Sequence, residues 1–278
     1  MKRPTLLAID LSNQLYRVCA AYPTLTSKGA YTGGLYGFVM AVQKALLDCE
    51  ADRVVVCRDS KPYLRAETYP EYKALRQGKK DPELAERVAL TVPLIHELLS
   101  VLGWPLWAVE GFESDDLIAY CMTQHRHRYS RVIAMSNDSD LYQLFRWPQF
   151  AVYKGGKKGL YVHKHFATEW GIPPERMPLL LAMTGTHNEI AGIDDIGPVR
   201  ARQLLLNPDQ YRKLRQTHGK LIDRNVGLIQ LPHPEFPLRE KIPRLKHPFA
   251  QRQLVLFCAR YDIRITLRAC DAFAQITG

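Results

Sequence analysis

Seven carboxylates follow short apolar runs. Asp10 follows LLAI (6–9), Asp59 follows VVVC (54–57) across Arg58, Glu113, Asp115 and Asp116 follow PLWAV (105–109), and Asp138 and Asp140 follow VIAM (132–135). Two carboxylates about 5 Å apart repel by about 3 kcal/mol at an effective dielectric of about 20. Gathered together, such a set must take up protons or recruit cations. Hard oxygen donors, with neither Cys nor paired His at the same run ends, point to Mg²⁺ or Mn²⁺ rather than zinc. The stretch VEGFESDDLIAYCM (109–122) taken alone has a second reading. Acidic residues stabilise a helix N-terminus by roughly 0.3–1 kcal/mol each, with Ser114 as the N-cap. Capping does not explain why acids recur after all four runs.

The runs themselves read as strands buried on both faces of a parallel sheet. Helical patterns over 34–48, 83–102 and 114–123 separate them, which is βαβ organisation. In an open parallel sheet a ligand site lies beyond the carboxyl ends of the strands, so the fold class predicts that the acids converge.

The whole chain sets wider bounds. Its 278 residues, 46% of them hydrophobic, suffice for one large domain or two small ones, and the net charge of +10 with a pI near 9.3 favours a polyanionic partner, nucleic acid first. The six cysteines contain no CxxC pair and lie mostly in apolar segments, as free buried thiols of a reducing compartment do. MKRPTLLAID has too short an apolar run for a signal peptide, and no window approaches the ~20 apolar residues of a membrane span. A soluble, cytoplasmic monomer is expected.

The segments LLAIDLSNQLYR, VVVCRDSKPYLRAETYPEYKALR, GFESDDLIAY, VIAMSNDSDLYQLF and GIDDIGPVRARQLL resemble, in order, the 5′-nucleases. These are the flap endonucleases and 5′ to 3′ exonucleases of phage and bacteria, including the nuclease domain of bacterial DNA polymerase I. The resemblance implies an α/β fold: a PIN-like parallel-sheet core over 1–180 with a helical arch around 61–100, and a helix-three-turn-helix (helix-hairpin-helix) DNA-binding region within 181–278. It implies that Asp10, Asp59, Glu113, Asp115 and Asp116 hold a first Mg²⁺ or Mn²⁺, and that Asp138 and Asp140 belong to a weaker second. Lys73 and Arg76 would reach the scissile phosphate and Tyr72 would stack on a terminal base. Arg65, Gly197, Arg200 and Arg202 would contact DNA carrying a 5′ flap, overhang or free 5′ end. A Lys point charge and an Arg fork suit a phosphodiester gaining charge on its equatorial oxygens.

Two departures from the family pattern stand out. Where the family usually reads close to MGDxxDNI, this chain reads MTGTHNEI (183–190), placing Gly185 and Asn188 on the two acidic positions, with Glu189 one residue displaced. Either one tight metal suffices, or activity needs high Mg²⁺ or Mn²⁺, or the chain binds branched DNA without cutting it. In GIDDIGPVRARQLL, Asp195 replaces the first hairpin glycine, and its negative charge counts against the K⁺ such a turn can hold.

Other features have plainer readings. The basic turn in YKGGKKGLYV (153–162) is a solvated hairpin or a phosphate contact, and RQGKKDP (76–82) is a polar connection. His125 with His127, and His163 with His165, lack further ligands for zinc, Trp104 and Trp107 read as core, and the periodicity over 207–253 is too poor to place elements.

Overall fold

The structure, a computed structural model, describes residues 3–73, 81–156, 159–186 and 190–276. Its strands are β1 (Thr5–Asp10), β2 (Thr26–Ser27), β3 (Ala30–Tyr31), β4 (Arg53–Cys57), β5 (Leu106–Trp107), β6 (Arg131–Met135), β7 (Phe150–Tyr153) and β8 (Leu160–Val162). Six form one sheet in the order β5-β4-β1-β6-β7-β8, parallel throughout except for the β7–β8 pair, while β2 and β3 make a separate small ribbon.

Every residue of β1 is buried. Alternate side chains enter opposite cores, as the two-residue strand period requires. Leu6, Ala8, Val55, Val132 and Ala134 pack under the helix Ser114–His125, whereas Leu7, Ile9, Val54, Val56 and Ile133 meet the helices Leu11–Ala21, Gly33–Cys49 and Pro82–Leu102. This two-sided burial is why the runs are continuously apolar. The six cysteines are buried and free.

The helix Pro82–Leu102 shows local control of its ends. Asp81 accepts a hydrogen bond from Glu83 N (3.0 Å), Pro82 occupies the first turn, and Gly103 closes the end in the left-handed region at φ 67°. In the segment expected to form an arch, the described residues comprise the short helix Arg65–Thr68 and this long helix; Arg76 lies outside the described residues.

Three differences from the sequence reading have physical causes. The run 105–109 contributes only Leu106 and Trp107 to the ladder, because Val109 turns away at the sheet edge and its carbonyl accepts from Phe112 N. β7 and β8 extend the sheet through the basic hairpin, with Tyr153 opposite Leu160. The unplaced stretch contains the helix Pro208–Ile229, which buries only Ile222, Asn225, Leu228 and Ile229, too short a stripe to show periodicity across its length. Asn225 donates to the carbonyls of Ala182 and Ala191 (2.9 and 2.8 Å), tying this helix to the helix Met177–Thr184 and the loop after it. Among the described residues no helix is long and apolar enough to cross a membrane.

Helix Gly33–Cys49 approaches its neighbours through Gly34, where a Cβ would stand 2.2 Å from Thr91 Oγ1 and 2.7 Å from Cys19 Sγ. Gly34→Ala should therefore destabilise the fold by about 1–3 kcal/mol through overpacking, measured as a lower urea midpoint with an unchanged slope.

Candidate active site

The chain runs from β1 to β4 and β5 on one side, then crosses to β6 and β7 on the other. The reversal opens a crevice at the carboxyl end of β1. Asp10 is the last residue of that strand. Its Oδ1 accepts from Asn13 N (3.1 Å) and Ser114 Oγ (2.9 Å), and its Oδ2 from Ser136 Oγ (2.9 Å). Asp59 accepts from Ser114 N (2.9 Å) and from the Tyr63 hydroxyl (3.4 Å). Ser114 thus joins two acids from different strands. It is not the N-cap: Glu113 takes that extended position (φ −103°, ψ 162°), and Ser114 is the first helical residue, with its hydroxyl and amide aimed at the site. Sequence reasoning missed this role and that of Ser136, which is fully buried directly after β6. A small hydroxyl beside each acid-bearing strand end was the available signal.

Asp115, Asp138 and Asp140 form the tightest acid group, each offering a carboxylate oxygen within 4.8 Å of the others. Asp140 N donates to Asp138 Oδ1 (2.9 Å) and Asp138 N to Ser136 Oγ (3.2 Å), so the MSNDSD turn is fixed from within. Asp115, expected with Asp10 and Asp59, thus also lies beside Asp138 and Asp140, while Asp10 and Asp59 share Ser114. Burial and the nearby Asp59 raise the pKa of Asp10 to about 7. Burial, then Asp116 and Glu113, drive Asp115 well above the carboxylate range, and burial and Asp138 do the same to Asp140. Crowded oxygen donors that resist ionisation are the donor set a hard divalent cation fits.

Two site assignments are corrected. Arg65 is 2% exposed and faces inward, away from any DNA. Its Nη1 and Nη2 form a fork on Asp116 (2.5 and 2.8 Å), Nη1 also reaches Glu113 Oε2 (3.1 Å), and Nε donates to the carbonyl of Leu228 (2.7 Å). Asp116 accepts in addition from His233 N (2.7 Å) and Glu113 N (3.2 Å), which engages both lone pairs of each oxygen. Asp116, expected among the metal ligands, thus has both oxygens engaged by the protein itself.

Glu113 also accepts from the Tyr72 hydroxyl (2.7 Å) and from Lys73 Nζ. Lys73 adopts a left-handed backbone (φ 58°), and its Nζ lies 4.8 Å from the centroid of Tyr63 and 5.5 Å from that of Tyr72. Tyr72 and Lys73, two of the three residues expected to meet the scissile phosphate or a terminal base, are thus directed at the acid pocket. Gly185, at φ 76°, closely opposes Gly192; a Cβ there would lie 2.7 Å from Gly192 N and Ile190 O, so this backbone excludes a carboxylate at that position. Asn188 and Glu189 lie outside the described residues.

At the second motif Gly197 caps the helix Pro198–Leu206, and Asp195 adopts the left-handed backbone (φ 61°) that Asp tolerates. Arg200 is exposed, with Nη1 3.5 Å from the Asp195 carbonyl. Arg202 turns back to the carbonyls of Glu169 and Trp170 (3.4 Å each) at the end of the helix His163–Trp170. A shallow cavity of about 510 Å³ borders Thr184, Asp194, Asp195 and Gly197.

The family model described as 5′-3′ exonuclease, N-terminal resolvase-like domain, matches residues 5–171. The chain belongs to this family. It is 30% identical over 204 residues to a 5′-3′ exonuclease of Aquifex aeolicus, covering 72% of this chain and 68% of that one. It is 33% identical over 208 residues to the DNA polymerase I of Bacillus caldotenax, covering 72% of this chain but only 23% of the polymerase, so the chain spans about a quarter of that relative. Among solved structures, T5 5′-exonuclease with bound zinc superposes at a TM-score of 0.68 with 20% identity, covering 98% of this chain and 97% of that one. Flap endonuclease-1 from Methanococcus jannaschii superposes at 0.58 with 18% identity, covering 99% and 91%. The fold of this family member is therefore that of the PIN-like, resolvase-like nucleases.

Two outcomes follow. Arg65→Met leaves Asp116 buried without its cation, and removing one partner of such a pair costs about 3–5 kcal/mol; denaturant melts should show a loss of that size. Because the pKa of Asp10 is higher folded than unfolded, the stability linked to it is full below about pH 4 and is lost as pH rises towards about 7. The melting temperature in EDTA should fall between about pH 5 and about pH 8, and added Mg²⁺ should raise it more at the upper end; a flat profile in EDTA would contradict the burial of these acids.

Proposed function

We propose that the chain is a divalent-metal-dependent 5′-nuclease that hydrolyses DNA phosphodiesters near free 5′ ends and at 5′ flap junctions, in replication or repair. The observation that carries this reading is the convergence of Asp115, Asp138 and Asp140 within 4.8 Å, in a member of the 5′-3′ exonuclease family. These three would hold Mg²⁺ or Mn²⁺, with Asp10, Asp59 and Glu113 as the neighbouring acids. Bound there, the cation would supply Lewis-acid polarisation of the phosphate and a lowered pKa for attacking water. Asp116 contributes by fixing the helix that presents Asp115.

Lys73, joined by Arg76, would stabilise the charge that builds on the equatorial phosphate oxygens. The ion pair of Lys73 with the Glu113 carboxylate supports that placement, because a phosphate held among the acids would lie within its reach. Tyr72, with its hydroxyl on Glu113, presents a ring at the same mouth for a terminal base. Residues 1–180 would form the catalytic unit and 181–278 the region that grips duplex backbone through the Gly197 turn and Arg200. The basic balance of the chain suits a DNA partner. Solved relatives support the same reading: a T5 flap endonuclease complex contains DNA and metal ions. Buried free thiols suit a monomer working in the cytoplasm of a bacterial or phage-infected cell.

The test is a 5′-labelled flap titrated with Mg²⁺ and Mn²⁺. Wild-type protein should cleave it, and Asp115→Ala should reduce cleavage by about a hundredfold or more while DNA affinity in the absence of metal stays within about threefold. Retained turnover in that variant would remove the assignment. Tight binding without cleavage by the wild type at any metal concentration would leave a branched-DNA binder instead, consistent with Gly185 in place of an acid.

A further inference from the structure

At the opposite pole of the sheet, where β1, β4 and β6 begin, lies a cavity of about 410 Å³. The length of β1 separates it from the acids, about 13 Å from Leu6 to Asp10 at ~3.3 Å per residue. Three arginines from separate segments line it: Arg53 at the start of β4, Arg128 just before β6, and Arg244 from the irregular chain that crosses this end of the sheet. Among the described residues none of them makes an ion pair or a side-chain hydrogen bond, in contrast to Arg65, Arg87, Arg215 and Arg260, which each meet an acid. Arg53 is half-buried at the wall, and Arg128 and Arg244 are exposed at the rim.

Tyr129 connects the charges to the floor. It is 7% exposed, and its phenol carries no hydrogen bond among the described residues. Tyr129 shares the cavity wall with Arg53 and Arg128, whose charges lower its pKa against the rise that burial and Cys121 impose. The remaining wall is apolar, with Leu6 and Pro243. Like charges lining one concavity repel one another, and an anion relieves that repulsion; the neighbouring acid, Asp52, is taken up by the amide of Thr5 (2.7 Å). Guanidinium forks match phosphate oxygens, and a concave site of a few hundred Å³ that sets three arginines beside apolar side chains has small-molecule dimensions. A duplex offers its phosphates on a convex surface, which meets a rim but not a half-buried wall arginine.

We propose that this cavity is a nucleotide site: Arg53, Arg128 and Arg244 take the phosphate, and Leu6, Tyr129 and Pro243 lie against the sugar or base. The site is independent of the hydrolytic centre and of the function proposed for it.

Calorimetric titration of the full chain with deoxyadenosine monophosphate, in EDTA so that no metal draws the nucleotide to the acids, tests the proposal. Wild type should show saturable binding, weakened at least tenfold in the double variant Arg128→Ala, Arg244→Ala. Binding should be unchanged in Asp115→Asn, and flap cleavage by the double variant should match wild type. Both substituted arginines are at the rim and unpaired, so the variant should melt as wild type does. Absence of saturable binding at millimolar nucleotide, or equal binding by the double variant, overturns the site. Inorganic pyrophosphate binding as tightly as the nucleotide overturns the part given to the apolar wall. Weakened binding of a blunt duplex with no nucleotide binding overturns it in favour of a DNA contact.

Discussion

A buried fork between Arg65 and Asp116 fixes the geometry on which the acid centre depends. Arg65 belongs to the segment after β4, Asp116 to the helix after β5, and the Leu228 carbonyl that Arg65 also reaches ends the helix Pro208–Ile229. One guanidinium therefore holds together three stretches far apart in sequence. Burying such a pair is costly unless every donor and acceptor is satisfied, and here the last lone pairs of Asp116 go to the amides of Glu113 and His233. With Asp116 neutralised in this way, Asp115 on the adjacent helical position is left to face the crevice.

Around that anchor the protein concentrates negative charge where its own fold cannot neutralise it. Ser114 and Ser136 orient Asp10 and Asp59 with hydroxyl and amide dipoles, which set direction without supplying a full positive charge. Asp115, Asp138 and Asp140 have less compensation still, and the raised proton affinities of Asp115 and Asp140 express the same deficit. Lys73, on its flexible stem, is bound to Glu113. The arrangement favours an external charge in the crevice, and a hard divalent ion is the species its oxygen donors match.

The remaining charge is distributed with comparable asymmetry. The chain is strongly basic, yet its acids crowd one end of the parallel sheet while Arg53, Arg128 and Arg244 gather at the other. Parallel strands make this separation available, since all their carboxyl ends share one edge and all their amino ends share the opposite edge. The hydrophobic sheet lies as an apolar layer between these two poles of opposite charge.

Much of this was legible in the sequence for a physical reason: a strand buried on both faces must be apolar throughout, so the acid that ends it is conspicuous. LLAI with Asp10, VVVC with Asp59 and VIAM with Asp138 announced the sheet, its polarity and the edge where the carboxylates meet. The helix Pro82–Leu102 was equally open to reading, because Asp81, Pro82 and Gly103 are local stop and start signals. What only the tertiary structure decided was how the acids divide. Nothing near Asp115 or Asp116 in the chain indicates that one faces the crevice and the other meets Arg65, because that choice depends on a residue about fifty positions upstream and on the amide of His233. The same holds for Ser114, a residue whose type suits a cap and whose position in space makes it a bridge between two strands. Local periodicity and capping report the energy of neighbouring residues, whereas the pairing of a buried charge is settled by whichever distant group the fold brings to it.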